Sequence, residues 1–277
     1  MLEIRNDAAR AVVDASLGGS LLVFSVDGVD ITRRGLGASD PRDASLFPMV
    51  PWVNRIDRGK FATSDQVHSI RPNADEPHPL HGHGWQTEWS VEGLDDDQVT
   101  LRYEHAGDSW PWPYTSFLRY LLEPDRLVVD LEVRNRADLP MPASLGFHPY
   151  FERPARISAT VDGRWLVGPG LIPTVWEEAE GFRLTDVDGL ESDHTYTGWD
   201  GRAFIELASA RVELVADVKR LHLYAPKWAH EFALEPVSAS PDAVNHPDRG
   251  SVMLAPGASL SHWMRLVVHE TREAAGG

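Results

Sequence analysis

The chain has 277 residues, 42% of them apolar and 25% charged, with a net charge of −16 at neutral pH. That composition supports a buried core. The strong acidity, with no basic patch, excludes nucleic acid and anionic membranes as expected partners. No cysteine is present, so disulfides, thiolate nucleophiles and thiolate-bound metals are excluded. The opening Met1-Leu-Glu-Ile-Arg has no apolar signal core, and no run reaches the length of a membrane-spanning helix. The expectation is a cytoplasmic protein.

Taken in order, the chain has a prevailing period of two. Val99, Leu101 and Tyr103 alternate with polar neighbours, as do Leu127, Val129, Leu131 and Val133, and later Leu221 and Leu223. These are half-buried antiparallel strands. Turn signals punctuate them: Gly18-Gly19, Asp27-Gly28, Glu123-Pro-Asp125, Asp162-Gly163 and Asp188-Gly189. No sustained helical stripe appears; Trp176-Glu-Glu-Ala-Glu180 has the composition for one or two helical turns. The fold class expected is all-β, a large antiparallel β-sandwich forming a single domain over residues 1–270, with a frayed tail over 271–277.

Two loop-rich stretches interrupt the strands. In Pro48–Phe61, Arg55 lies among Trp52, Val53 and Ile56, a context that predicts partial burial against a fixed partner. In Pro79–Trp85, glycines flank His81 and His83 and allow close approach of a ligand to the backbone. Trp85, Trp89, Trp110 and Trp112 are each expected in the core, although their faces would suit a sugar ring. Further on, Glu191–Gly201 reads as a polar surface turn that includes Asp193.

Chemistry concentrates in two other segments. In Ser144–Phe151, Leu145 and Phe147 face one way, Gly146 and His148 the other. His148 precedes Pro149, which restricts it to extended geometry. A histidine among aromatics is commonly a packed, satisfied side chain, but Glu231–Val237 is built the same way. There Phe232 and Leu234 form one face, Ala233 and Glu235 the other, and Glu235 precedes Pro236. A carboxylate on an apolar strand is poorly explained by packing. An imidazole and a carboxylate on two stiff strands suit a general acid and a general base. A metal reading also exists. His81-Gly-His83 followed by Glu88 matches the first half of a cupin motif, but the second half is missing, and no metal is expected.

The motifs in sequence carry a family resemblance. Asn54-Arg55-Ile56 with Gly59 and Phe61, Leu80-His81-Gly82, Phe147-His148-Pro-Tyr150-Phe151, and Leu234-Glu235 with Pro241-Asp242 and Asn245 stand in an order and spacing that resembles the aldose 1-epimerase (galactose mutarotase) family. The Gly18-Gly19 turn and the Asp193 segment fit as well. The resemblance implies a galactose mutarotase-like supersandwich and a free monosaccharide as substrate, with no cofactor. It makes Glu235 the base that takes the proton of the C1 hydroxyl and His148 the acid that protonates the ring oxygen. It also makes Arg55, His81, Asp193 and Asn54 substrate-holding residues. The family's commoner Leu-His-Gly-Gly and His-Ser-Tyr-Phe-Asn read here Leu-His-Gly-His and His-Pro-Tyr-Phe-Glu, so the identity of the sugar stays open. A hexose 6-phosphate would call for an arginine cluster, and Arg55, Arg58 and Arg71 are scattered. The competing class, a sugar-binding or regulatory protein of the same fold, would be expected to lose the acid or the base; this chain keeps both.

Overall fold

The computed structural model describes residues 1–64, 66–168 and 170–271; the expected tail beyond Thr271 lies outside the described residues. Two antiparallel sheets dominate, one of eleven strands and one of nine, counted among the described residues. Their inner faces are the apolar halves of the period-two patterns. Leu101, Leu127, Val129, Leu131 and Leu266 from one sheet meet Phe24, Phe147, Leu221, Phe232 and Leu234 from the other in one core cluster. Burying each such side chain contributes about 1.5–3 kcal/mol, so the alternation alone fixes which face turns inward. The architecture is the β-sandwich expected. Among the described residues, no helix is long and apolar enough to cross a membrane.

Trp85, Trp89, Trp110 and Trp112 are all buried, as expected of core residues. Two local expectations fail. Pro173–Glu178 is an edge strand, not a helical turn, paired with Gly163–Val167. Glu177 there meets Arg164 across the pair, and the cross-strand partner outweighs local helix propensity. Asp193 does not sit in a turn either. Ser192–Thr197 is a strand paired with Arg220–Ala225.

The larger sheet matters most for function. Five of its consecutive strands, Leu46–Met49, Gly146–Glu152, Glu231–Val237, Arg220–Ala225 and Ser192–Thr197, turn their outward faces into the floor of a groove. Loops carrying Asn54, Arg55 and His81 form its wall.

Candidate active site

Sheet register builds the floor. Phe47 lies opposite His148, Glu235 opposite His222, and His222 opposite Thr195. The His148 and Glu235 strands pair at Gly146–Val237 and Tyr150–Ala233, which brackets His148 against Glu235. Pro149 and Pro236 fall inside that interval and cannot donate to the ladder. Proline is rare in central strands, and here it opens the backbone pairing where the two side chains meet.

His148 Nε2 lies 3.2 Å from Glu235 Oε1, and both residues are almost completely buried. The imidazole stacks on Phe47 with ring centroids 4.3 Å apart and packs against Tyr150 at 4.6 Å. Nδ1 of His148 and Oε2 of Glu235 have no protein partner. Burial pushes the Glu235 carboxyl up to about 7, against the pull of His222 and Arg55. Burial pushes His148 well below the usual imidazole range, with His222 and Arg33 adding to the effect. Below about pH 7 the free pair therefore shares one proton, resting on the carboxyl side, and it loses that proton as pH rises through about 7.

The wall is held as firmly. Asn54 and His81 clamp each other: the Asn54 N–H donates to His81 Nδ1 at 3.1 Å, and the His81 N–H donates to the Asn54 carbonyl at 3.0 Å. Gly82 then passes so close to Val50 that a Cβ would lie 1.9 Å from its carbonyl oxygen; its φ of +76° also favours glycine. Asp242 docks the neighbouring turn, its N–H donating to the Arg55 carbonyl at 2.7 Å and its carboxylate accepting from the Asp57 N–H at 2.9 Å. Asn245 donates to that same carboxylate.

All six residues singled out in the sequence, Asn54, Arg55, His81, His148, Asp193 and Glu235, line this groove of about 150 Å³. Arg55 has the fixed partner expected, but its fork is fully engaged. Nε and Nη2 bond to Glu76 at 2.7 and 3.0 Å, and Nη1 lies 3.5 Å from Asp193. Asp193 is held down to about 2: burial works against its charge, but His222 and Arg55 outweigh it. Sequence reasoning missed Glu76, Tyr150, Tyr224 and His222 as groove residues. The His222-Leu-Tyr224 alternation signalled that two of them share a face, though not that the face was a site.

His83 and Glu88 do not join the groove. His83 stacks on His105 at 5.3 Å and meets Trp52 edge-on, and Glu88 is exposed. Among the described residues, one group has donor atoms close enough for a shared ion: His81, His148 and Glu235, all within 4.8 Å. The hydrogen bond into His81 Nδ1 argues against coordination. It leaves the ring proton on Nε2, which is then a donor with no lone pair for an ion. Treatment with EDTA is thus expected to leave activity unchanged; loss on chelation, restored by a divalent ion, would overturn this tautomer argument.

A buried imidazole–carboxylate pair in a groove on one face of an antiparallel supersandwich places the molecule in the galactose mutarotase-like fold class. The sequence model of the aldose 1-epimerase family matches residues 1–267, and the chain belongs to that family. It is 29% identical over 271 residues to the uncharacterised protein YphB of Escherichia coli strain K12, covering 91% of this chain and 93% of that one. A solved structure of a candidate aldose 1-epimerase from Escherichia coli K12 superposes with a TM-score of 0.89 at 28% identity, covering 98% and 99% of the two chains. A galactose mutarotase-like protein from Clostridium acetobutylicum gives 0.83 at 20% identity, covering 98% and 95%. That last likeness speaks for the fold alone.

Proposed function

We propose that the protein is an aldose 1-epimerase that interconverts the α and β anomers of a free aldose. The observation that carries the reading is the 3.2 Å contact of His148 Nε2 with Glu235 Oε1 on the floor of a small polar groove. Opening a hemiacetal ring removes one proton and delivers another. Glu235 takes the proton of the C1 hydroxyl while His148 gives one to the ring oxygen, and the C1–O5 bond breaks. The open aldehyde turns about C1–C2. Closure on the other face returns a proton from O5 to His148 and from Glu235 to O1, so the pair ends as it began.

The reactive state holds one proton on the pair. In the free protein that proton rests on Glu235, and the imidazolium–carboxylate form is its tautomer, reached by transfer across the existing contact. The held groups suit sugar hydroxyls: Nε2–H of His81 as donor, the carboxylates of Asp193 and Glu76 as acceptors, with Arg55 and Asn54 steadying them.

Two measurements test the reading. Polarimetry or proton NMR on a panel of freshly dissolved aldoses is expected to show at least one reaching anomeric equilibrium faster than it does spontaneously; no acceleration across the panel would sink the proposal. In addition, kcat/KM is expected to fall as pH rises through about 7, where Glu235 gives up the proton of the pair. On the acid side it should hold until His148, whose pKa is depressed, takes a second proton. A profile still rising above pH 8 would contradict the shared-proton state.

A further inference from the structure

The row of side chains that carries the acid–base pair continues past Glu235. His222 stands beside it in register, buried, and no step of the proton transfer uses it. Both ring nitrogens have fixed partners: Nε2 is 3.1 Å from Asp193 Oδ1, and Nδ1 is 2.8 Å from Thr195 Oγ1. A doubly protonated ring satisfies both contacts as donor, one to a carboxylate and one to a hydroxyl oxygen. The charged and titratable groups around it are Glu235 on one flanking strand, Asp193 and the neighbouring His194 on the other, Tyr224 on its own strand and His148 beyond Glu235, with Arg55 and His81 from the loops above. Two carboxylates flank the ring directly, whereas the Arg55 fork is already bonded to Glu76.

We propose that His222 is a positioning residue of this site, a buried imidazolium set between Asp193 and Glu235 that fixes Asp193 in the groove and offers the Glu235 carboxylate a neighbouring positive charge. The inference rests on the acid–base reading of Glu235 and adds the group that tunes it. Oε2 of Glu235 has no protein partner and its other oxygen meets only His148, so hydrogen bonds do little to stabilise its charge. A carboxylate so buried needs a nearby cation, or it stays protonated through the physiological range. His222 is the strongest compensating influence, ahead of Arg55. The relation is mutual. Burial works against a charged His222, yet Glu235 and Asp193 outweigh it and raise its pKa above the ordinary value.

The test reads Glu235 directly, without relying on catalysis. Full-length protein labelled with ¹³C-glutamate is titrated by NMR, the Glu235 carboxyl being assigned by its loss in Glu235→Gln. In wild type the midpoint is expected near 7. His222→Gln keeps polar contacts to Asp193 and Thr195 but carries no charge. Its Glu235 midpoint is expected to move up by about one unit or more, and the alkaline limb of kcat/KM should move with it. An unmoved midpoint would reduce His222 to a structural hydrogen-bonding residue and overturn the inference. Should the variant fail to fold, ¹⁵N imidazole shifts of wild type decide: both His222 nitrogens protonated at pH 7 supports the inference, and a neutral ring refutes it. The two readings fail separately. A shifted Glu235 in a protein that accelerates no aldose would leave His222 standing and remove the epimerase, whereas active protein with an unmoved midpoint would do the reverse.

Discussion

Glu235→Gln is expected to lower turnover at least about a hundredfold, and His148→Asn likewise, since a positioned general acid or base contributes roughly 10²- to 10⁴-fold. Glutamine keeps the size of Glu235 and can still meet His148 Nε2 across the 3.2 Å contact, so the groove should keep its shape and its affinity for sugar. What it loses is the site where the shared proton rests. The alkaline limb near pH 7 should disappear with it. In His148→Asn the carboxyl remains but has no partner to exchange with, and the two proton movements can no longer be coupled. The double variant should be little worse than the poorer single one, as for residues that act as a unit. Spontaneous mutarotation sets a floor that must be subtracted. Wild-type rates in Glu235→Gln would make a binding role the better account of this groove.

How much of this was legible in the sequence depended on whether a residue's meaning is local. His148 and Glu235 could be read because each sits on an alternating strand immediately before a proline, and alternation and X-Pro geometry are properties of neighbours in the chain. The burial of Arg55 could be read from Trp52, Val53 and Ile56 for the same reason. His222 could not be read as a site residue. Its role comes from Glu235 and Asp193 on the two flanking strands, and cross-strand register is not written in any one segment. Glu76 was hidden in the same way, its partner Arg55 lying in another loop.

The misread strands share a cause too. Ser192–Thr197 forms part of the floor of a polar groove, so its outward face carries Asp193 and Thr195 where a sheet packed on both faces would carry apolar residues. A strand lining a site gives up the pattern by which strands are recognised. Pro173–Glu178 lies at the sheet edge with most of its residues exposed. There charged residues are tolerated and guard against edge-to-edge pairing, and the Trp-Glu-Glu run then resembles a helix.

Arg55→Ala is expected to damage both stability and sugar affinity. Its fork closes on Glu76 through two bonds and reaches Asp193 at 3.5 Å, while the arginine side chain is only 9% exposed. Removing it leaves two carboxylates facing each other across the groove with no shared cation. Breaking a fully buried pair costs about 3–5 kcal/mol. Here Glu76 and Asp193 keep 23% and 24% side-chain exposure, so water offsets part of that. A loss of about 1.5–3 kcal/mol is the expected scale for a hydrogen bond to a charged group. Expressed in kcat/KM, that is about ten- to a hundredfold, and it should come mainly through KM because neither member of the proton-transfer pair is touched. Two further variants separate charge from contact. Arg55→Lys keeps the charge but cannot bond both Glu76 oxygens in a planar fork, so it should recover only part of the loss. Glu76→Gln added to Arg55→Ala removes the stranded carboxylate, so denaturant midpoints should rise again while KM stays poor, because Asp193 still lacks one of its two cations. Recovery of KM in that double variant would mean that Arg55 acts only to neutralise Glu76. Unchanged stability and KM in Arg55→Ala would mean that His222 alone holds Asp193 and that Glu76 needs no cation.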